Sequence, residues 1–203
     1  MFYETRLDDH GLPADPLKAL VIPRPIGWIS TRSKSGQVNL APYSFFNMIH
    51  DEPPIVLFSS GGLKDSAAFA IESGEFVVNL VSEPLMVAAN ASAVNAPRGE
   101  SEFAYAKVTE APARLVGAPR VAEAMASLEC KVTQSFHPRT LDGSADDAVV
   151  VVGQVVGVFI DERILTNGRV DVAKLLPVGR LGYSDFGVIR AGITVRRPKW
   201  NDG

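Results

Sequence analysis

Arg24-Pro25-Ile26-Gly27-Trp28-Ile29-Ser30-Thr31 and, after a turn at Ser35-Gly36, Asn39-Leu40-Ala41-Pro42-Tyr43-Ser44-Phe45-Phe46-Asn47 decide how this chain is read. The first run is a short apolar strand over 26–31, rich in β-branched and aromatic residues, that closes on two hydroxyls. The second mixes aromatic planes, small residues and hydroxyls around Pro42, which has no N–H to give to a sheet ladder. Regular pairing is expected to break there, leaving an irregular edge whose neighbouring N–H groups are free to address a ligand.

Outward from this pair the chain keeps the same character. Residues 54–60 (PIVLFSS), 75–81 (EFVVNLV) and 149–160 (VVVVGQVVGVFI) read as strands whose near-continuous apolar runs call for burial on both faces, and 128–136 reads as a strand that alternates Leu128, Cys130 and Val132 with Glu129, Lys131 and Thr133. Gly153 and Gly157 interrupt the longest run and mark bulges or bends. A helix is expected from Leu63, where Leu63, Ala67, Ala70 and Ile71 form an apolar stripe ended by Ser73-Gly74. Others are expected over 83–93, behind Ser82 as N-cap, and over 120–125. Segments 96–101 and 139–147 read as a surface loop and a hairpin turn. Strand and helix alternate too irregularly for a doubly wound sheet. The expected class is therefore α+β, mainly β, built on an antiparallel barrel in one domain spanning 1–203.

The 203 residues carry 20 Lys+Arg against 23 Asp+Glu, a net charge of −3, with 46% of positions hydrophobic. That balance supplies a core and withholds the basic face that nucleic acid requires. Arg196, Arg197 and Lys199 read as a solvated tail. Cys130, the lone cysteine, sits in apolar alternation and reads as a buried, inert thiol. The opening MFYETRLDDH lacks the apolar core of a secretory signal, and the longest apolar stretch, 148–160, is too short and too Gly-broken to span a bilayer. A cytoplasmic protein without membrane attachment is expected.

Several chemistries are not written here. No G-x-G-x-x-G, no G-x-x-x-x-G-K-[ST] and no G-x-S-x-G occurs. His10, His50 and His137 lie far apart, and none pairs with a second ligand type at helical spacing, so no metal site is expected. The scarcity of acid–base pairs leaves two classes open: a binding module, or an enzyme whose cofactor carries the chemistry.

One anion site is present in outline. After Ser59-Ser60 come Gly61-Gly62 and then Lys64-Asp65-Ser66, opening a helix. Glycines let a backbone approach closely, a helix N-terminus presents free N–H groups, and Lys64 adds a full charge. The same residues also serve as a plain helix cap. Beside hydroxyl- and aromatic-lined strands they suit a flat heteroaromatic ligand with a phosphate tail.

Taken in order, RPIGWIST, NLAPYSFFN, DEPPIVLFSSG, KDS and SGEFVVNLV resemble the flavin reductase family of FMN-binding split-barrel proteins, flavoredoxin-like members included. The resemblance runs from Leu20 to Val81 and continues more loosely through Ser101-Glu102-Phe103, 128–137 and 149–161. It implies a six-stranded antiparallel split β-barrel with flanking helices, working as a homodimer with FMN near the subunit interface. It places Ser30 and Thr31 beside the flavin, and Ala41, Pro42, Tyr43, Ser44 and Phe45 along its ring and ribityl chain. Ser59, Ser60, Lys64 and Ser66 fall at its phosphate. His137 matches a histidine near the flavin and is the catalytic candidate, placing nicotinamide or substrate. Asn79 and Asn90 fall near the dimer contact. Arg180-Leu181-Gly182-Tyr183 matches a stretch that contacts the flavin or closes the interface. Plainer roles stand beside these, with Trp28, Tyr43, Phe45 and Phe46 as barrel core and His137 as a strand end.

The implied activity is electron transfer from NADH or NADPH through FMN to a flavin, a partner oxygenase or another acceptor. Similar barrels also serve pyridoxamine-phosphate-oxidase-like enzymes and non-catalytic flavin-binding or electron-carrier modules.

Overall fold

The computed structural model describes residues 1–97 and 100–200. Seven strands form one antiparallel sheet: β1 (Gly27–Arg32), β2 (Val38–Tyr43), β3 (Phe46–Asp51), β4 (Pro54–Ser60), β5 (Glu75–Leu80), β6 (Ala126–Phe136) and β7 (Val149–Ile160). Their lateral order is β2-β1-β5-β6-β7-β4-β3. That order dictates the shape. β2 and β3 lie at opposite edges, yet only Ser44 and Phe45 separate Tyr43 from Phe46. Three peptide steps reach about 11 Å at most, so the sheet must curl until its two edges face each other across a seam. Phe45 pins the link by accepting a 2.9 Å hydrogen bond from the Ser59 N–H.

The main sheet has seven strands rather than six, because 46–51 folds back on β4 as a hairpin. Pro42 does not break its strand. It sits opposite Trp28 in an unbroken β2–β1 ladder, and as an edge strand β2 has one side where no N–H is needed. The expected bulges are found: the β6–β7 register shifts at Val152/Gly153 and at Val155/Gly157. A β-carbon on Gly153 would lie 2.5 Å from the Phe76 ring, so that bulge is also where the core ring needs room.

The barrel interior holds Ile29, Val56, Phe58, Phe76, Cys130 and Val151. Phe58 and Phe76 meet edge-on at 5.3 Å. Burial pushes the Cys130 thiol well above its ordinary range, which leaves it unreactive. A second cluster outside the barrel gathers Trp28, Leu40, Val81, Leu85, Phe103 and Val121. β1 is thus buried on both faces, and Trp28 is core, its indole N–H donating to Ser92 Oγ at 2.8 Å.

Helix α1 spans Asp65–Ser73, two residues later than the apolar stripe suggests, with Leu63 left 62% exposed. It ends where expected, on Gly74 at φ +78°. The expected 83–93 helix divides into a 3₁₀ turn, Glu83–Leu85, and α2, Met86–Ala91. No helix forms over 120–125. Arg120–Val121 pairs instead with Glu110–Ala111, and the Val121 N–H donates to Asn79 Oδ1 at 2.8 Å. A short α3, Glu102–Ala106, has no counterpart in the sequence reading. The 139–147 turn closes with an Arg139–Ala145 bridge. Within the expected 96–101 loop, 98 and 99 lie outside the described residues.

Candidate functional site

β2, the first turn of α1 and the segment after α2 enclose a cleft of about 360 Å³. Strand periodicity turns Asn39, Ala41 and Tyr43 to one face of β2, and all three line the cleft with Pro42. From the far side of the seam β4 contributes Ser60, and the turn that follows it brings Gly61, Lys64, Asp65 and Ser66. Lys64 is the N-cap residue of α1, and its side chain makes no capping hydrogen bond. A second pocket of about 250 Å³ adjoins the cleft, sharing Pro42 and Ala93 with it.

The polar groups of the cleft are tightly organised. Glu102 is buried and accepts from Asn39 Nδ2 at 3.0 Å on each carboxylate oxygen, and from the Leu40 N–H at 3.1 Å. Burial raises its carboxyl above the usual carboxylate range. Asn39 Oδ1, held by that clamp, accepts from the Ser66 hydroxyl. The Tyr43 ring packs on Phe58 at 4.9 Å with its hydroxyl near those of Ser66 and Ser60. Burial pushes the Tyr43 pKa up, which keeps it a neutral O–H donor. One group is left over: Ser60 Oγ is fully buried and has no well-formed hydrogen bond. Such an orphan costs about 1–3 kcal/mol.

The structure therefore brings together Ala41, Pro42, Tyr43, Ser60, Lys64 and Ser66. Ser44 lines the second pocket, as do Asn90 and Arg180. Ser59 is half-buried and spends its N–H on Phe45, whose side chain is 56% exposed beside the seam. Ser30 and Thr31 do not reach the cleft. Ser30 is buried with its hydroxyl donating to the Pro119 carbonyl, and Thr31 is buried with Oγ1 unpartnered. Asn79 is buried too, saturated by Trp28, Ser30, Val121 and Ser127.

His137 is exposed, Nδ1 3.2 Å from the Asp146 carbonyl. It follows Phe136, which pairs with Val150, while Val149 pairs with Ser60. It thus stands at the Ser60 end of the barrel, two strand spacings or roughly 10 Å away. Asn39, Glu102 and the 92–96 wall are cleft residues that sequence reasoning missed. Asn39 is visible in the NLAPY run, but nothing local shows that α3 carries Glu102 back to it. Among the described residues no cluster of three or more His, Cys, Asp or Glu could hold a metal ion.

Comparison with known proteins agrees with this geometry. The flavin reductase like domain family matches residues 19–176. The chain belongs to that family. An uncharacterised protein of Halalkalibacterium halodurans is 38% identical to this flavin reductase family member, over 88% of this chain and 87% of its own. The crystal structure of nitrilotriacetate monooxygenase component B from Bacillus cereus superposes with a TM-score of 0.84 at 30% identity, covering 96% of this chain and 98% of that one. Pseudomonas fluorescens 2-nitrobenzoate 2-nitroreductase superposes with a TM-score of 0.79 at 26% identity, over 91% and 89% of the two chains. Within the family's split barrel, the seam and the cleft beside it are the features that β2 and β4 build here.

Proposed function

We propose that the chain is a single-domain cytoplasmic oxidoreductase that binds FMN, takes electrons from NADH or NADPH, and passes them to a free flavin, a partner oxygenase or another small acceptor. The observation that carries the reading is the Ser60 hydroxyl, buried without a partner in the cleft to which Lys64 and the uncapped first turn of α1 also belong. A phosphate supplies the acceptors that these donors lack. With its own proton committed to Asn39, the Ser66 hydroxyl accepts, while Tyr43, held neutral, donates. Ala41 and Pro42 offer a small, flat wall for a heteroaromatic ring. When bound, FMN supplies the hydride and electron transfer. The chain's residues bind it, orient it and restrict water on the β2 side. The names of the two structural relatives, a monooxygenase component and a nitroreductase, support electrons leaving for a separate acceptor.

The reading includes a homodimer. On the edge strand β3, Met48 and Ile49 are exposed, and the far half of β7 exposes Val156, Val158 and Ile160, each between 38% and 59%. Bare apolar edges of this kind call for a covering surface. A sedimentation mass near twice 21.8 kDa is expected, and a concentration-independent 21.8 kDa overturns the dimer. His137, at the Ser60 end of the barrel, is assigned to placing the nicotinamide. His137→Ala is expected to raise KM for the donor without changing FMN affinity.

The deciding experiment is an anaerobic visible spectrum of FMN-loaded protein, taken before and after NADPH and then NADH. Bleaching of the flavin band near ~450 nm by either donor is expected. A band that neither donor bleaches refutes the nicotinamide-linked reaction, and failure to bind FMN at all refutes the cofactor.

A further inference from the structure

We infer that the second pocket binds a planar aromatic carboxylate through Arg180. This deepens the flavin reading, on which it rests for its neighbour, by naming the chemistry of a molecule seated beside the cofactor cleft.

The inference begins in a small three-stranded sheet formed by Arg24–Pro25, Val178–Arg180 and Phe186–Val188. Its register sets Arg24 opposite Arg180 and Arg180 opposite Phe186, so the three side chains leave one face of the sheet. Like charges directly opposite on a sheet repel. Arg24 turns inward, only 8% exposed, and gives its guanidinium to the carbonyls of Lys18, Val21 and Leu181, with Nε unpartnered. Arg180 leans the other way, over the Phe186 ring at 4.5 Å, and donates Nη2 to the Tyr183 carbonyl at 2.7 Å. Among the described residues, every acceptor of the two guanidiniums is a neutral carbonyl. Two adjacent cations therefore sit without a compensating anion among the described residues.

The pocket explains where an anion enters. Arg180 and Phe186 form one wall, and Ile26, Val81 and Met86 make the others apolar. A guanidinium held over a ring, with N–H groups still unused, matches the in-plane oxygens of a carboxylate. Apolar walls match the ring that bears it, and the polar side chains of Ser44 and Asn90 lie at the same pocket. The volume, about 250 Å³, suits one substituted ring and excludes a dinucleotide. Because Pro42 and Ala93 belong to both cavities, the occupant lies directly against whatever fills the cleft. A strongly hydrated inorganic anion gains nothing from the apolar walls, and a neutral aromatic gains nothing from Arg180. The combination selects a molecule that has both parts.

The test is calorimetric titration of the intact protein with benzoate and with its neutral counterpart benzamide, each with and without saturating FMN. Benzoate is expected to bind at least ten-fold more tightly than benzamide in both states. Arg180→Gln is expected to abolish that preference and Arg180→Lys to restore part of it. Equal binding of the two probes, or a preference that survives in R180Q, overturns the assignment. Displacement of benzoate by FMN overturns it as well, because the pocket would then belong to the cofactor. If R180Q does not fold, the benzoate–benzamide comparison on the unaltered chain still decides. FMN binding without a benzoate preference sinks this inference alone. Benzoate selectivity without FMN binding sinks the cofactor reading and leaves the pocket.

Discussion

Ser60→Ala is expected to move two properties in opposite directions. In the free protein Ser60 Oγ is buried with the Tyr43 hydroxyl near it and no well-formed hydrogen bond, so folding strips a hydroxyl of water and returns little. That penalty is about 1–3 kcal/mol. Alanine removes it and leaves only a small void, for a net gain of about 1 kcal/mol, or roughly 3 °C in Tm for a chain of this length. On the proposed reading the same hydroxyl donates to the charged phosphate of bound FMN, a bond contributing about 1.5–3 kcal/mol. Its loss weakens FMN by roughly 10- to 100-fold, at about 1.4 kcal/mol per decade. Thermal melts without ligand, paired with flavin-fluorescence titrations, read both numbers. A variant that melts lower shows that the hydroxyl is already engaged, with the nearby Tyr43 phenol as the partner. An unchanged FMN affinity removes Ser60 from the phosphate site. Either result refutes the reasoning.

Other outcomes follow from the same geometry. Lys64→Ala should weaken FMN by roughly 1–3 kcal/mol through loss of one charge-assisted contact, and raised salt should shrink the difference in fluorescence titration. Asn79→Ala should cost about 3 kcal/mol or more in urea unfolding, because it strands several buried partners at once, the Val121 N–H and Ser127 hydroxyl among them. Burial raises the Glu102 carboxyl above its unfolded value. Its protonated form is therefore favoured by folding, and the stability it contributes is full below the unfolded pKa and lost as pH rises through the folded one. Urea midpoints of the unaltered chain relative to Glu102→Gln should fall across the range just above ordinary carboxylate values, and a flat difference would count against the buried, ionisable Glu102.

Strand positions were legible wherever burial on both faces leaves an apolar run, as in β1, β4, β5 and β7. The bulges were legible because Gly153 and Gly157 interrupt such a run. Elements set by tertiary contact were not. Residues 120–125 carry a helix-compatible pattern, but Asn79 claims the Val121 N–H and Glu110–Ala111 takes up the strand pairing. Pro42 signals a broken ladder unless β2 is known to be an edge, and edge position belongs to topology rather than to local sequence. The Gly61–Ser66 part of the cleft could be read because one stretch of chain supplies the glycines, the lysine and the helix start. The Glu102–Asn39 clamp could not, since it joins residues far apart in the chain. The family resemblance sets Ser30 and Thr31 beside the flavin; in the structure β1 lies beneath two hydrophobic clusters and both side chains are buried.

The two-residue link between β2 and β3 also bears on how fast this protein assembles. It closes the seam at almost no loop entropy, whereas β1 must find β5, and β5 must find β6, across long intervening stretches. Pairings of that range are slow to nucleate. Tyr43, at the start of the link, and Ser60, at the end of β4, are the cleft residues that the seam itself brings face to face. A ligand that also needs Asn39, held by Glu102 from a distant part of the chain, and the wall after α2 recognises the chain only after the late, distant contacts are complete. Such a ligand leaves the folding rate unchanged and slows unfolding, so residence in the folded state, rather than speed of reaching it, is the kinetic quantity that the cleft controls.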